Sequence, residues 1–321
     1  MVFLVIGGTG FIGSNVVKGL VERSEEVIIF DAMPNINRLG NARHKVKVIR
    51  GDILDIEDVF YVTKTYNVDC IIHLAYSTDI LGQEERPLKP IKTNCIGFNN
   101  VLEVARIMDI KRVVWASSVA VYGPPEYYSN QVVNEDAPTN PNTVYGACKV
   151  LDEYMGKHYY EKFGVDNIGL RPTVVYGPGR WFRGLSAFTY DLFVGPALGK
   201  PVKISFGNQK VNWMYVKDVA KAFLLACYVD KTEHKIFNIP GQVATIYEAA
   251  QIVQKLVPNA IVDVEAGEGR ERWPAFLDVT RIEKELKYKQ SYTLEKGFKE
   301  YIDTIRAEAK MFPHLYKDGN M

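Results

Sequence analysis

The stretch "VFLVIGGTGFIGSNVV", residues 2–17, constrains the fold more than any other part of the chain. An apolar run rich in Val and Ile reads as a buried strand. It passes directly into glycines 7, 8, 10 and 13 and then into a helical pattern. Gly8, Gly10 and Gly13 satisfy G-x-G-x-x-G, while Gly7, Gly10 and Gly13 satisfy G-x-x-G-x-x-G. A tight turn without Cβ atoms in the way lets a pyrophosphate sit on the N-terminus of the following helix. A lone glycine pattern is a weak signal, and the flanking strand and helix are what give this one weight.

The first half of the chain keeps the same rhythm. "EVIIF", "VKVIR", "CIIHLA" and "RVVWAS" read as buried strands, and "IGSNVVKGLVER", "IEDVFYVTKTY" and "FNNVLEVARIM" as amphipathic helices between them. Such alternation predicts an α/β fold in which a parallel sheet is covered by helices on both faces. Right-handed crossovers then make it doubly wound and Rossmann-type. Residues 1–176 are the expected dinucleotide-binding domain, with 211–240 packing back on it. Residues 177–210 and 241–321 are expected to form a smaller α/β substrate-binding region. Gly and Pro are frequent between 177 and 215, which suits loops that cover a ligand. "VKDVAKAFLLACY", "TIYEAAQIVQKLV" and "TLEKGFKEYIDTIRAEAKMF" predict helices, the last ending before Pro313, and "KIFNIP" a short strand. Thr245 and Glu248 have capping-box spacing.

Composition excludes several classes of protein. Apolar residues make up 47% and charged residues 24%, as expected of a soluble chain with a real core. A net charge of +1 gives no attraction to nucleic acid or to an anionic membrane. No apolar run approaches the roughly 20 residues that span a bilayer, and no export signal is evident, so a cytoplasmic protein is expected. The cysteines (70, 95, 148, 227) show no CxxC spacing and read as reduced thiols. No cluster has metal-ligand spacing. His73 reads as a structural imidazole bonded to nearby backbone.

Two features carry chemistry. Asp31, ending "VIIFD", is placed to accept hydrogen bonds from ribose hydroxyls and to repel a 2′-phosphate, which favours NAD over NADP. Tyr145 and Lys149, in "TVYGACK", are four residues apart and share a helix face. A free tyrosine is phenolate about one part in a thousand at pH 7, and lowering its pKa by roughly three units takes about 4 kcal/mol. A fixed ammonium from Lys149 and the positive nicotinamide of an oxidised cofactor would supply that stabilisation.

With "GGTGFIGS", "GDILD", "HLA", "KTNCIGFNNVLEVA", "ASSVAVYG", "EDAPTNPNTVYGACK", "LRPTVVYGPG" and "MYVKDVAKAF" in this order, the chain resembles the extended short-chain dehydrogenase/reductases, the NAD-dependent epimerase/dehydratase family. The resemblance implies a catalytic set of Ser118, Tyr145 and Lys149, supported by Asn94. Ser118 would donate a hydrogen bond to the substrate oxygen, and Lys149 would also reach the nicotinamide ribose. Cofactor contacts are expected from Gly7, Gly10, Phe11, Ile12, Gly13, Asp31, Asp52, Ile53, Leu74, Ala75 and Pro172. Substrate contacts are expected from Tyr76, Ser77, Thr78, Ser118 and Arg180. Helices over roughly 89–109 and 144–163 would pair two copies into a homodimer.

Departures from the family pattern bear on the reaction. Val119 and Ala120 follow Ser118 where dehydratases place acids. Val174 and Val211 stand where nucleotide-sugar members usually carry an Asn and an Arg, although Arg270, Arg272, Arg180 and Arg183 lie in neighbouring loops. The expected activity is therefore a dehydrogenase or ketone reductase on a small or sugar-like polar substrate. The alternatives are a nucleotide-diphosphate-sugar 4-epimerase with tightly bound NAD and, more remotely, a non-catalytic NAD-sensing protein. Aromatic residues 76, 122, 127, 128, 181, 182, 213 and 273 would enclose the ligand or pack as core and lid.

Overall fold

The computed structural model describes residues 1–129, 132–181, 186–269 and 272–316, so Phe182, Arg183 and Arg270 lie outside the described residues. The chain begins with β1 (Val2–Ile6), α1 (Phe11–Glu22), β2 (Glu26–Asp31), β3 (Lys47–Arg50), α2 (Ile56–Thr65) and β4 (Cys70–His73). It continues through α3 (Ile80–Glu85), α4 (Leu88–Pro90), a π-helical turn (Ile91–Ile96), α5 (Gly97–Ile107), β5 (Arg112–Ala116), α6 (Val144–Phe163) and β6 (Asn167–Arg171). The single helix expected over 89–109 is thus interrupted by the π-turn at Asn94.

The second half holds β7 (Val174–Tyr176), α7 (Phe188–Ala197), β8 (Val202–Ile204), β9 (Lys210–Tyr215), α8 (Val216–Tyr228) and β10 (Ile236–Asn238). It ends with β11 (Gln242–Thr245), α9 (Ile246–Leu256), β12 (Val262–Val264), α10 (Thr280–Glu285) and α11 (Leu294–Met311). The capping box at α9 is formed on both sides: Thr245 Oγ1 accepts the Glu248 N–H, and Glu248 accepts the Thr245 N–H.

A seven-stranded sheet in the order β10-β6-β5-β4-β1-β2-β3, parallel throughout, forms the centre. Side chains alternate across each strand. Phe3 and Val5 of β1 face Val16, Val17 and Leu20 of α1 and Val219 and Phe223 of α8. Leu4 and Ile6 face Val59 of α2 and Phe98, Val101 and Leu102 of α5. Both faces are covered, so the strands read as unbroken apolar runs.

A second core sits over a three-stranded sheet ordered β11-β9-β7. Its centre is aromatic: the Phe298 ring lies 4.8 Å from Phe193 and 5.0 Å from Tyr176, both edge-on. Trp213 belongs here, fully buried, with Nε1 donating to the Ala244 carbonyl at 3.1 Å. Edge-to-face rings at these separations add to the burial of area. Phe298→Ala is expected to destabilise the protein by about 3–5 kcal/mol, read as a lower urea midpoint; an unchanged midpoint would contradict this account of the second core.

Candidate active site

β1 and β4 are neighbours whose following connections run to opposite sides of the sheet, and a crevice opens at such a switch point. Gly7 turns the chain there with φ +77°, and a Cβ on it would lie 2.7 Å from the Ala75 backbone nitrogen. A Cβ on Gly13 would run into the Gly7 carbonyl. Gly10 caps α1 without any side-chain hydrogen bond, so no side chain covers the start of the helix, where an anion would sit. The cleft beyond has a volume of about 940 Å³ and is lined by Gly7, Gly10, Asp31, Asp52, Ile53 and Ala75, with Leu74, Tyr76 and Ser77 along one wall. Thr9 holds Asp31, its hydroxyl donating to Oδ2 at 2.5 Å and its N–H at 3.2 Å. A glycine cradle, an uncapped helix start and a carboxylate at the end of β2 together fit an adenine dinucleotide.

A second close backbone approach builds the reacting end. Thr143 caps α6 by accepting the Gly146 N–H at 3.0 Å, and Glu84 accepts the Val144 N–H at 2.8 Å. A Cβ on Gly146 would come within 2.5 Å of the Ala120 carbonyl oxygen, so only glycine lets α6 sit this close to the Ser118 loop. That loop is fixed by Ser118 Oγ, which accepts the Ala120 N–H at 3.1 Å, and by the Pro172 carbonyl, which accepts the Val119 N–H at 3.2 Å. Ser118 is thereby brought close enough to Tyr145 to act on its phenol. Burial pushes the Tyr145 phenol up to about 12, and Ser118 opposes the rise.

Lys149 has further partners besides the expected Tyr145. Its fully buried Nζ donates to the Ala116 carbonyl at 2.7 Å, lies 3.4 Å from Asp152 Oδ2 and sits 2.7 Å from the centre of the Tyr76 ring. The Tyr145 ring centre is 5.8 Å away. Burial pushes Lys149 down to about 8, with Asp152 opposing, and pushes Asp152 up to about 7. The ammonium is thus tied to Asp152 beside the Tyr145 ring, and burial keeps Tyr145 a neutral phenol. Tyr76 covers Lys149 and does not extend from the wall. Asn94, fully buried, fixes the next residue by accepting the Ser77 N–H at 2.8 Å and donating to the Ser77 carbonyl at 3.3 Å. Gln83 adds a second donor to that carbonyl at 2.7 Å. Thr78 is exposed.

Other expectations also meet a different arrangement. His73 bonds to no backbone; its nitrogens have no hydrogen-bond partner among the described residues. The ring stacks on Phe98 at 5.6 Å and meets Tyr76 edge-on at 4.5 Å, and burial holds it neutral. Arg180 is buried and donates to the Val175 and Ser186 carbonyls, both at 3.4 Å, which pins the loop after β7. Tyr122 is fully buried, its hydroxyl joined to Asn238 and Arg171.

A second pocket of about 340 Å³ opens beside β7 and β9. Val174 and Val211 both line it, and so do Gln209, Lys210, Arg272 and Trp273. Positive charge lacking at position 211 is supplied from adjacent positions. Among the described residues, Glu233, His234 and Glu285 bring ligand-type atoms within 4.8 Å of one another. Glu285 already accepts the N–H groups of Glu233 and His234, which accounts for this cluster as a loop tie.

Sequence reasoning missed Asp152, Gln83 and Arg38. Asp152 had a signal, since it lies three residues after Lys149 and therefore on the same helix face. Arg38 stacks on Trp181 at 4.6 Å and had none.

Comparison with known proteins agrees with this architecture. Residues 3–240 match the NAD dependent epimerase/dehydratase family. A putative UDP-glucose 4-epimerase of Methanocaldococcus jannaschii is 33% identical over 310 residues, covering 94% of this chain and 98% of that protein. The structure of a Thermus thermophilus UDP-glucose 4-epimerase in complex with NAD superposes with a TM-score of 0.83 at 25% identity, covering 95% and 99% of the two chains. That of an L-threonine dehydrogenase from Clostridium difficile gives 0.83 at 27%, covering 95% and 98%. The fold and the site define an NAD-dependent enzyme of the extended short-chain dehydrogenase/reductase type. The chain belongs to the NAD dependent epimerase/dehydratase family. Among the described residues no helix is long and apolar enough to cross a membrane.

Two outcomes are expected in cofactor binding. Gly13→Ala should weaken NAD at least about tenfold, because the turn must open to admit the methyl group; unchanged affinity by calorimetry would refute the cradle. Asp31→Ala should lose the preference for NAD over NADP, and equal affinities in the unmodified protein would remove the basis of that assignment.

Proposed function

We propose that the chain oxidises a secondary hydroxyl of a nucleotide-diphosphate sugar and then reduces the ketone on its other face, a 4-epimerisation. The observation that carries this reading is the second pocket, where Lys210 and Arg272 offer cations beside the aromatic Trp273 and Phe206. It adjoins the reacting end through β7, which follows the Pro172 backbone tied to the Ser118 loop. A substrate with an anionic handle and a flat base suits such a pocket. The similarity to a putative UDP-glucose 4-epimerase supports it. The 177–210 and 241–321 segments would supply this substrate side, and the seven-stranded half the cofactor side.

NAD, when bound, supplies the hydride acceptor. Ser118 holds the substrate oxygen by a hydrogen bond, and Tyr145 exchanges the hydroxyl proton with it. A neutral Tyr145 is the proton donor required for the reducing half of the cycle. For the oxidising half the phenolate must be stabilised by a positive charge brought near it. Asp31, Asp52, Ile53, Leu74, Ala75 and Pro172 border the cofactor in this reading, while Ser77 and Thr78 edge the substrate.

Net dehydrogenation is the second reading, and the apolar Val174 and Val211 favour it. Incubation with NAD and a panel of sugar nucleotides and free hydroxy compounds separates the two. Stereochemical inversion without NADH release supports the epimerase, and accumulating NADH with free hydroxy compounds alone sinks it. Tyr145→Phe is expected to lower kcat at least about a hundredfold while NAD binding persists, and retained turnover would overturn the catalytic assignment.

We also infer a cytoplasmic homodimer. Leu151, Tyr154 and Phe163 of α6 and Ile107 of α5 are exposed apolar residues on the two helices expected to pair. All four cysteines are free thiols, which suits a reducing compartment. Light scattering should give twice the 36.3 kDa chain mass.

A further inference from the structure

The proton-transfer centre holds a carboxylate for which the hydride chemistry above has no use. Asp152 lies on α6 three residues beyond Lys149 and is 1% exposed, beside a lysine that is fully buried. A buried ammonium without a counter-ion would be strongly disfavoured, and the 3.4 Å pair answers that cost. The same pairing fixes where the charge stands. Nζ is anchored by the Ala116 carbonyl, the Asp152 carboxylate and the Tyr76 ring, 5.8 Å from the centre of the Tyr145 ring.

We propose that Asp152 is a positioning residue for the reaction: it anchors the Lys149 ammonium beside Tyr145 and keeps it charged, and so sets the pH up to which the two side chains work together. The inference rests on reading Tyr145 and Lys149 as the proton-transfer pair. The groups facing Asp152 are Lys149, Cys148 and Glu153 from its own helix, Cys95 from the π-turn, Tyr76 from the segment after β4, and Tyr145. Glu153 is committed to Arg171 at 2.6 Å. The Cys95 thiol, hydrogen-bonded to Asp152, and the Tyr76 phenol are both pushed up and stay neutral. Lys149 and Asp152 therefore carry the ion pair of the group.

The direction of the effect follows from charge. Ionised Asp152 disfavours a second anion on Tyr145 and favours the cation on Lys149, raising both pKa values. Removing its charge while keeping its shape must lower both. With Lys149 down to about 8 and Tyr145 up to about 12, the Lys149 proton is lost first as the pH rises, and with it the cation beside Tyr145. Without the Asp152 charge, the pH at which that cation is lost moves lower.

The test uses the NAD-loaded protein with ¹³Cε-labelled lysine, the Lys149 signal being assigned by its loss in Lys149→Met. In Asp152→Asn the Lys149 titration midpoint is expected to fall by about one pH unit or more, and in Asp152→Glu to stay near its original position. An unmoved midpoint in Asp152→Asn overturns the proposal. Should that variant fail to fold, ¹³Cγ-labelled aspartate gives the converse. The Asp152 midpoint is expected to rise in Lys149→Met, and its failure to move overturns the proposal equally. Neither readout needs turnover, so their failure is distinct from retained activity in Tyr145→Phe. With a substrate in hand, the alkaline fall in kcat that follows Lys149 should shift acidward in Asp152→Asn, and a fall left in place would again overturn it.

Discussion

Two backbone approaches that tolerate no side chain hold this site together. Gly7 lies against the backbone of Ala75, and Gly146 lies against the carbonyl of Ala120. The first sets the turn after β1 beside the exit of β4 and so creates the cleft. The second sets the start of α6 beside the Ser118 loop and so joins Tyr145 to Ser118. Each approach brings elements from distant parts of the chain to within van der Waals contact, and glycine is the residue that permits it. Because the first approach follows β4 and the second follows β5, and these strands are paired, cofactor cleft and proton-transfer centre are fixed to the same piece of sheet.

Burial, more than pairing, sets the electrostatics of that centre. It raises Tyr145, raises Asp152 and lowers Lys149, each shift having desolvation as its first cause. His73, packed between Phe98 and Tyr76 directly behind Lys149, is kept neutral for the same reason and adds no charge. Charge brought to Tyr145 from outside therefore acts in a dry setting, where it counts for more than it would in water. The cation already present is tied to Asp152, which leaves Tyr145 responsive to what enters the cleft.

The sequence made the central sheet legible because parallel strands buried on both faces are written as unbroken apolar runs, and β1, β2, β4 and β5 all are. The glycine turn, the Thr245 capping box and the stop before Pro313 are local codes and were equally readable. Strands β8, β11 and β12 have three or four residues each and owe their pairing to the tertiary fold, so no period announces them. The family resemblance named Ser118, Tyr145 and Lys149, yet it could not show which way the Lys149 ammonium points. That direction depends on Asp152, Tyr76 and the Ala116 carbonyl together. On the substrate side, Arg272 was legible as a neighbouring cation, whereas its meeting with Lys210, Val174 and Val211 in one pocket depends on the tertiary fold.

Arg38 puts the cofactor assignment to its hardest test. An arginine beside the ribose-binding carboxylate is what accommodates a 2′-phosphate in NADP enzymes, and Arg38 is near enough to Asp31 to feel its charge. Two of its nitrogens are already engaged, however. Nε donates to the Gly179 carbonyl at 3.1 Å and one terminal nitrogen to the Thr9 carbonyl at 3.4 Å, while the guanidinium plane rests on Trp181. Trp181 in turn donates to Glu308 of α11 at 3.3 Å. Turning Arg38 towards a phosphate would break its stack and loosen the tie between the glycine turn and the loop after β7. Asp31, held by Thr9 with its second oxygen towards the Met33 N–H, would still repel the added charge. Arg38 therefore links the cofactor edge to the substrate side and leaves the preference for NAD to Asp31.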